Sequence, residues 1–251
     1  MKVSIVGSGN VAHILAKLII DNGHTIVQVI GRNEEKGSAL ANLVGAQYVK
    51  FTGEINKEID ICIVAISDNA FPEGLHKLNF GNSLVLHTSG SVSMDVLQIA
   101  STNYGVLYPL QSLLKSIDVL PEIPFLIEAN NTLALQILQT FATTLSKNVQ
   151  VVEEEKRFRL HAAAVIVNNF TNYLYTIANT YCDNEGVDFD LLKPLIVETA
   201  LRIRHSAPAD MQTGPAKRKD NTTLDKHLNL FSKYPKLKTL YTRMTDSIMN
   251  D

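Results

Sequence analysis

The run "KVSIVGSGNVAHILAKLII" (residues 2–20) constrains the fold of this chain more than any other stretch. A short β-branched segment ends in glycine. Val11, Ile14, Leu15, Leu18 and Ile19 then recur at three- and four-residue spacing, the mark of an amphipathic helix. Between the two lies "GSGNVA", a G-x-G-x-x-A turn. Gly7 permits the tight turn, Gly9 lets the backbone approach a pyrophosphate, and Ala12 keeps helix and strand close. The helix start aims free N–H groups at phosphates. Gly7, Ser8, Gly9, Asn10 and Val11 are therefore candidate cofactor-binding residues, against the plainer reading of a strand–helix turn.

The rest of the first half keeps the same rhythm. "GHTIVQVIG" is a second strand, a helix runs through Ala39 and Leu43, and "AQYVKF" is a third strand. "IDICIVAI" (59–66) is almost wholly apolar, as expected of a parallel strand covered on both faces. "NSLVLHT", "YGVLYP", "PFLIEA", a helix over 131–146 and "NVQVV" complete the series. Strand–helix alternation with short connections predicts an α/β fold, a Rossmann-like doubly wound parallel sheet. After Val152 the β-rich pattern stops. Helices are expected near 157–181, 189–205, 223–232 and 235–249, with Asp188 or Asp190 capping the second. The chain thus divides into a dinucleotide-binding domain, 1–152, and an all-helical substrate and dimerisation domain, 153–251.

The second strand closes in "VIGRN". At this point an NAD-binding protein usually places an acid against the ribose hydroxyls. Arg32 and Asn33 stand there instead, and no carboxylate follows until Glu34. A guanidinium pairs with a 2'-phosphate through two hydrogen bonds. One charge-assisted bond of ~1.5–3 kcal/mol is enough to select a ligand tenfold or more. NADP is the expected cofactor, with Arg32 as its reader and Asn33 beside it; a solvated surface arginine is the plain alternative. Ligands in such sheets lie beyond the carboxyl ends of the strands. That places Ala65, Ile66 and Ser67 along the cofactor.

"HTSGS" (87–91) offers Thr88, Ser89, Gly90 and Ser91 as substrate contacts or as a simple turn. In "HAAAVIVNNFTNYLY", His161, Asn168 and Asn172 share one face of an otherwise apolar helix expected to be buried. His161 suits proton donation near neutrality and Asn168 suits orienting a carbonyl or imine; a satisfied structural histidine is the alternative. Between Arg202 and Arg243 ten Lys/Arg face only Asp210, Asp220 and Asp225. This local basic surface, Arg218 included, could receive an anionic metabolite or be a solvated face.

A net charge of −2 argues against a general nucleic-acid or membrane-surface binder. No apolar run reaches the ~20 residues that span a bilayer. Cys62 and Cys182 read as core thiols rather than a disulfide or metal pair, and no metal site is expected. The chain opens directly on a strand, so a cytoplasmic protein is expected. The apolar density of 162–177 predicts a homodimer.

Taken as an ordered set, "GSGNVA", "HTSGS", "YPLQS", "LHAAAVIVNNFTN" and "TGPAKRKD" resemble a two-domain family that joins a Rossmann-like domain to a helical domain of unknown function. Where that family more often carries histidine, this chain has Tyr108. The layout is similar to pyrroline-5-carboxylate reductase, deazaflavin-linked NADP oxidoreductases and the beta-hydroxyacid dehydrogenases. The resemblance implies NADP, dimerisation through the helical domain and a site between domains. The lysine–asparagine pair of the beta-hydroxyacid dehydrogenases is absent, so His161 and Asn168 would stand in for it. The expected function is an NADP-dependent oxidoreductase acting on a carbonyl or imine of a small, anionic metabolite. A non-catalytic NADP(H) sensor and a non-redox scaffold are the alternatives.

Overall fold

The computed structural model describes residues 1–52, 55–56, 58–71, 75, 78–116 and 119–251. Contacts divide the chain into two compact units, Met1–Asn169 and Phe170–Asp251.

The first unit is built on one sheet of eight strands: β1 (Lys2–Val6), β2 (Thr25–Gly31), β3 (Gln47–Lys50), β4 (Ile61–Val64), β5 (Leu84–His87), β6 (Tyr104–Pro109), β7 (Phe125–Ala129) and β8 (Val149–Val151). Their spatial order is β3-β2-β1-β4-β5-β6-β7-β8. Strands β1 to β6 pair in parallel. The topology switches between β1 and β4, where a doubly wound sheet opens a crevice at the strands' carboxyl ends. One edge departs from the all-parallel expectation: β7 runs antiparallel to β6, and β8 then runs parallel to β7. Strand direction is not encoded in an apolar run, because pleating alternates the side chains whichever way the strand points.

Helix α1 (Asn10–Asp21) buries Ala12, Ile14, Leu15, Ala16 and Ile19, the stripe its sequence spacing predicts. These pack with Val3 and Ile5 of β1 on one face of the sheet, together with α3 (Thr132–Leu145) through Leu138 and Phe141. Each fully buried Ile, Leu or Phe contributes ~1.5–3 kcal/mol to this layer. The other face is covered through Val6, Ile30, Cys62, Val64, Phe80, Val85 and Leu97. All four residues of β4 and of β5 are consequently buried. Helix α2 (Glu34–Leu43) follows β2, and α4 (Glu154–Ala164) follows β8. A π-helical turn, Val165–Phe170, comes next, and the division between the units falls inside it.

The second unit holds α5 (Thr171–Glu185), α6 (Lys193–Arg202), α7 (Asn221–Leu230) and α8 (Pro235–Asn250). Gly186 ends α5 at φ +67°, a left-handed conformation that glycine adopts without strain. Asp188 accepts from the Asp190 amide at 2.9 Å and so opens the 3₁₀ turn that leads into α6. Asp220 caps α7, accepting from the Thr223 amide and hydroxyl, which lowers its carboxyl pKa. Within this unit the half-buried Tyr181 meets Phe231 and Tyr234 edge to face. Both cysteines are buried free thiols, and burial raises that of Cys62. Among the described residues no helix is long and apolar enough to cross a membrane.

Candidate active site

At the end of β1 the chain turns through Gly7 at φ +115°, and its amide donates to the Ile30 carbonyl at 2.8 Å. A Cβ at position 7 would lie 2.2 Å from the Ala65 carbonyl oxygen, so the turn admits glycine alone. Gly9 is different. It sits in ordinary extended backbone at φ −79°, and a Cβ there would meet nothing within 4 Å. Ala12 is fully buried between helix and sheet. No side chain caps α1 and no acid occupies its first turn. Its leading amides and positive dipole end therefore face open space, an arrangement that favours an anion.

The cleft above this turn has a volume of about 440 Å³. It brings together Gly7, Ser8, Gly9, Arg32, Asn33, Ala65, Ile66 and Ser67, residues drawn from the ends of β1, β2 and β4. Asn10 and Val11 are not in its wall. They form the first turn of α1, where their backbone amides are available. Arg32 is exposed and makes no ion pair among the described residues. Asn33 caps α2, its Oδ1 accepting from the Lys36 amide at 2.9 Å. Glu34, the first carboxylate after β2, is neutralised by Lys50 at 2.9 Å. Lys50 lies level with Gly31 in the β2–β3 register, so this pair sits at the rim of the cleft.

A second cleft of about 460 Å³ is lined by Tyr108, Gln111 and Ser112 beyond β6, and by His161, Asn168 and their neighbours on α4 and the π turn. The Tyr108 hydroxyl lies 2.9 Å from His161 Nδ1, and the rings meet edge to face. Burial, and then the charge of Asp68, raise the tyrosine pKa. Gly90 lies directly beneath the pair: a Cβ there would come within 2.8 Å of His161 and 2.9 Å of Tyr108. Gln111 donates to the Glu122 carbonyl and accepts from the Ser112 amide, which fixes it at the cleft edge.

The remaining residues of "HTSGS" mostly serve their own turn. Ser89 Oγ accepts from the amides of Ser91 and Val92, at 3.1 and 3.2 Å. Ser91 Oγ donates to Asp68 at 2.6 Å. Thr88 is half-buried and lies outside both cleft walls. Arg218 is exposed in the second unit, its amide donating to the Gly214 carbonyl at 3.3 Å. The expectation of a buried helix around His161 is corrected: Arg157 is the one buried residue of α4, and Ile166, Val167 and Phe170 are exposed. The apolar stretch marks surface, which its hydrophobicity alone could not distinguish from core.

Two buried groups behind the site escape sequence reasoning. Arg157 is wholly buried, paired with Glu128 and donating to the Val92 carbonyl at 2.8 Å. Glu128 also accepts from the Glu154 amide at the start of α4. The signal was a carboxylate in the apolar strand "FLIEA". His87, at the end of β5, is also wholly buried and accepts from the Ser89 amide through Nδ1. Burial, and after it the charge of Arg157, push its pKa down to about 4. In the unfolded chain this ring charges below pH 6.5, while the folded protein keeps it neutral until about 4. Stability is therefore unaffected by His87 above pH 6.5 and falls as the solution is acidified from 6.5 to 4, by on the order of 3 kcal/mol. His87→Gln should flatten that acid slope in melting curves taken at pH 7, 6, 5 and 4.5; an identical slope would show that His87 does not set it.

The switched parallel sheet, the glycine turn and a cationic strand end define a Rossmann-type dinucleotide-binding protein with an appended helical domain. The chain belongs to the family of the domain of unknown function DUF2520, whose model matches residues 123–248. The model "NADP oxidoreductase coenzyme F420-dependent" matches residues 2–89, so the N-terminal fold is of oxidoreductase type. Among solved structures, a "putative NADP oxidoreductase" from Bacteroides fragilis is 37% identical, with a TM-score of 0.93 over 100% of this chain and 98% of that one. Two more distant ones share the fold. A 1-pyrroline-5-carboxylate reductase from Streptococcus pyogenes has 13% identity and TM-score 0.66, over 100% of this chain and 99% of that one. An imine reductase from Myxococcus stipitatus, solved with NADP+, has 16% identity and TM-score 0.64, over 100% and 92%. No curated protein matches the sequence.

Proposed function

We propose that this protein is an NADP-dependent oxidoreductase that moves hydride to or from a carbonyl or imine of a small, anionic metabolite. One observation carries the cofactor assignment. Arg32 opens onto the same cleft as the glycine turn and makes no ion pair among the described residues, while Glu34, the first acid after β2 in the chain, is held by Lys50. The cleft suits the cofactor in other respects. Gly9 leaves open space that nothing in the protein requires, and the α1 amides are uncapped. Gly7, Ser8, Gly9 and the amides of Asn10 and Val11 would hold the diphosphate, Arg32 and Asn33 the phosphorylated ribose, and Ala65, Ile66 and Ser67 the dinucleotide's length. The nicotinamide supplies hydride chemistry when bound. His161 is the proton source and Asn168 the orienting amide; Thr88, Ser89, Gly90, Ser91 and Arg218 are the substrate-side candidates.

The structures of relatives described as an NADP oxidoreductase and an imine reductase with NADP+ support this reading. Exposed apolar residues of the second unit, Leu191, Leu195 and Ile203 among them, support a homodimer through that unit, which light scattering would test. Arg32→Ala is expected to weaken NADPH at least tenfold, the loss of one charge-assisted contact, and to leave NADH nearly unchanged. Titration of both nucleotides into wild type and variant decides it. Equal losses for the two would remove the phosphate contact. Tight NADPH binding without turnover of any carbonyl or imine would favour a sensor.

A further inference from the structure

We propose that Tyr108 is the residue that hands the proton to substrate, with His161 as the reservoir behind it. The inference rests on the oxidoreductase reading and gives a role to Tyr108, which the sequence marks only as a departure from the family's more common histidine. Both side chains line one cleft, and the Tyr108 hydroxyl and His161 Nδ1 are 2.9 Å apart, within ordinary hydrogen-bond distance. Gly90 is packed so closely under the two rings that no side chain fits beneath them. The pair is thus seated on backbone rather than on a movable neighbour.

The roles follow from what each atom can do. With Nδ1 carrying its hydrogen, His161 donates to the Tyr108 oxygen, and the phenolic proton is free to point into the cleft. In the reductive direction bound NADPH would supply hydride to the carbon of C=O or C=N. The π electron pair passes to oxygen or nitrogen, which takes the phenolic proton. Tyr108 recovers a proton from Nδ1 as Nε2 takes one from solvent, so the ring stays neutral throughout. Tyr108 cannot act alone. Burial and the neighbouring Asp68 carboxylate both disfavour a bare tyrosinate, so its proton must be replaced as it leaves. Asp68 itself is tied to Ser91.

The test uses full-length protein, with 1-pyrroline and pyruvate as probe substrates for NADPH oxidation. Tyr108→Phe should lower kcat roughly 100- to 1,000-fold, the range for loss of a general acid, with the NADPH dissociation constant within twofold of wild type. Tyr108→His, which keeps a transferable proton, should recover at least a tenth of the activity. Unchanged kcat in Tyr108→Phe would overturn the proposal. A second arm needs no substrate: ¹⁵N spectra should show His161 Nδ1 protonated, with its resonance moved in Tyr108→Phe. An Nδ1 that stays unprotonated and insensitive to that substitution overturns the relay whatever the probes show. A wild type that binds no NADPH would instead refute the cofactor assignment, a separate failure.

Discussion

Gly7→Ala is expected to lower the melting temperature by ~5–15 °C and to abolish NADPH binding, the largest effect we foresee for one added methyl group. Two costs combine at this position. The backbone stands at φ +115°, where a side chain is strained by ~1–3 kcal/mol. The new Cβ would also fall 2.2 Å from the Ala65 carbonyl oxygen, and a backbone atom cannot swing aside as a side-chain tip can. Overpacking of that kind adds ~1–3 kcal/mol, and each kcal/mol lowers the melting temperature of a unit this size by ~2–4 °C. Ala65 lines the cleft proposed for the cofactor, so relief of the clash moves a wall of it. Gly9→Ala is the control. Its backbone is ordinary and its surroundings empty, so melting should be unchanged while NADPH binding weakens. A Gly7→Ala protein that melts with the wild type would show that the turn relaxes freely.

Arg157→Ala should cost ~3–5 kcal/mol, because removing one partner of a buried ion pair strands the other. Glu128 would lose its cation and the Val92 carbonyl its donor, both in places water reaches poorly. The damage would extend beyond stability. Arg157 ties α4, β7 and the turn after β5 together, and that turn includes the Gly90 seat of the Tyr108–His161 pair. Denaturant unfolding of Arg157→Ala, Glu128→Leu and the double variant Arg157→Met/Glu128→Leu gives the test. The double change should be milder than Arg157→Ala, since apolar replacement of both charges leaves neither stranded. Equal midpoints for Arg157→Ala and wild type would mean the buried guanidinium holds nothing.

Much of the first unit could be read before folding because each local signal agreed with its neighbours. The β1–turn–α1 run buried the residues its spacing named, and the apolar "ICIV" became a wholly covered strand. The family resemblance drawn from five short motifs agreed with the domain matches. What stayed hidden depended on partners distant in the chain. Arg157 and Glu128 are 29 positions apart, and nothing local in either says they will meet inside. Tyr108 and His161 are 53 apart. Asn33 looked like a ligand contact and is also a helix cap, and Ser89 looked like a substrate contact and satisfies its own turn. Polar side chains near a glycine turn suit both uses, and only coordinates show which atoms are already engaged. The π turn at Val165–Phe170 left no sign in the periodicity used to place His161 and Asn168 on one face.

The residues proposed to read the cofactor's ribose end, and their charged neighbours, are all on the surface. Arg32, Glu34 and Lys50 are exposed, and none belongs to either packed layer of the sheet. Exchanging such residues shifts folding energy by about half a kcal/mol or less. If the proposed reading of the cleft holds, cofactor preference could change through a few surface codons while the packed scaffold stays as it is.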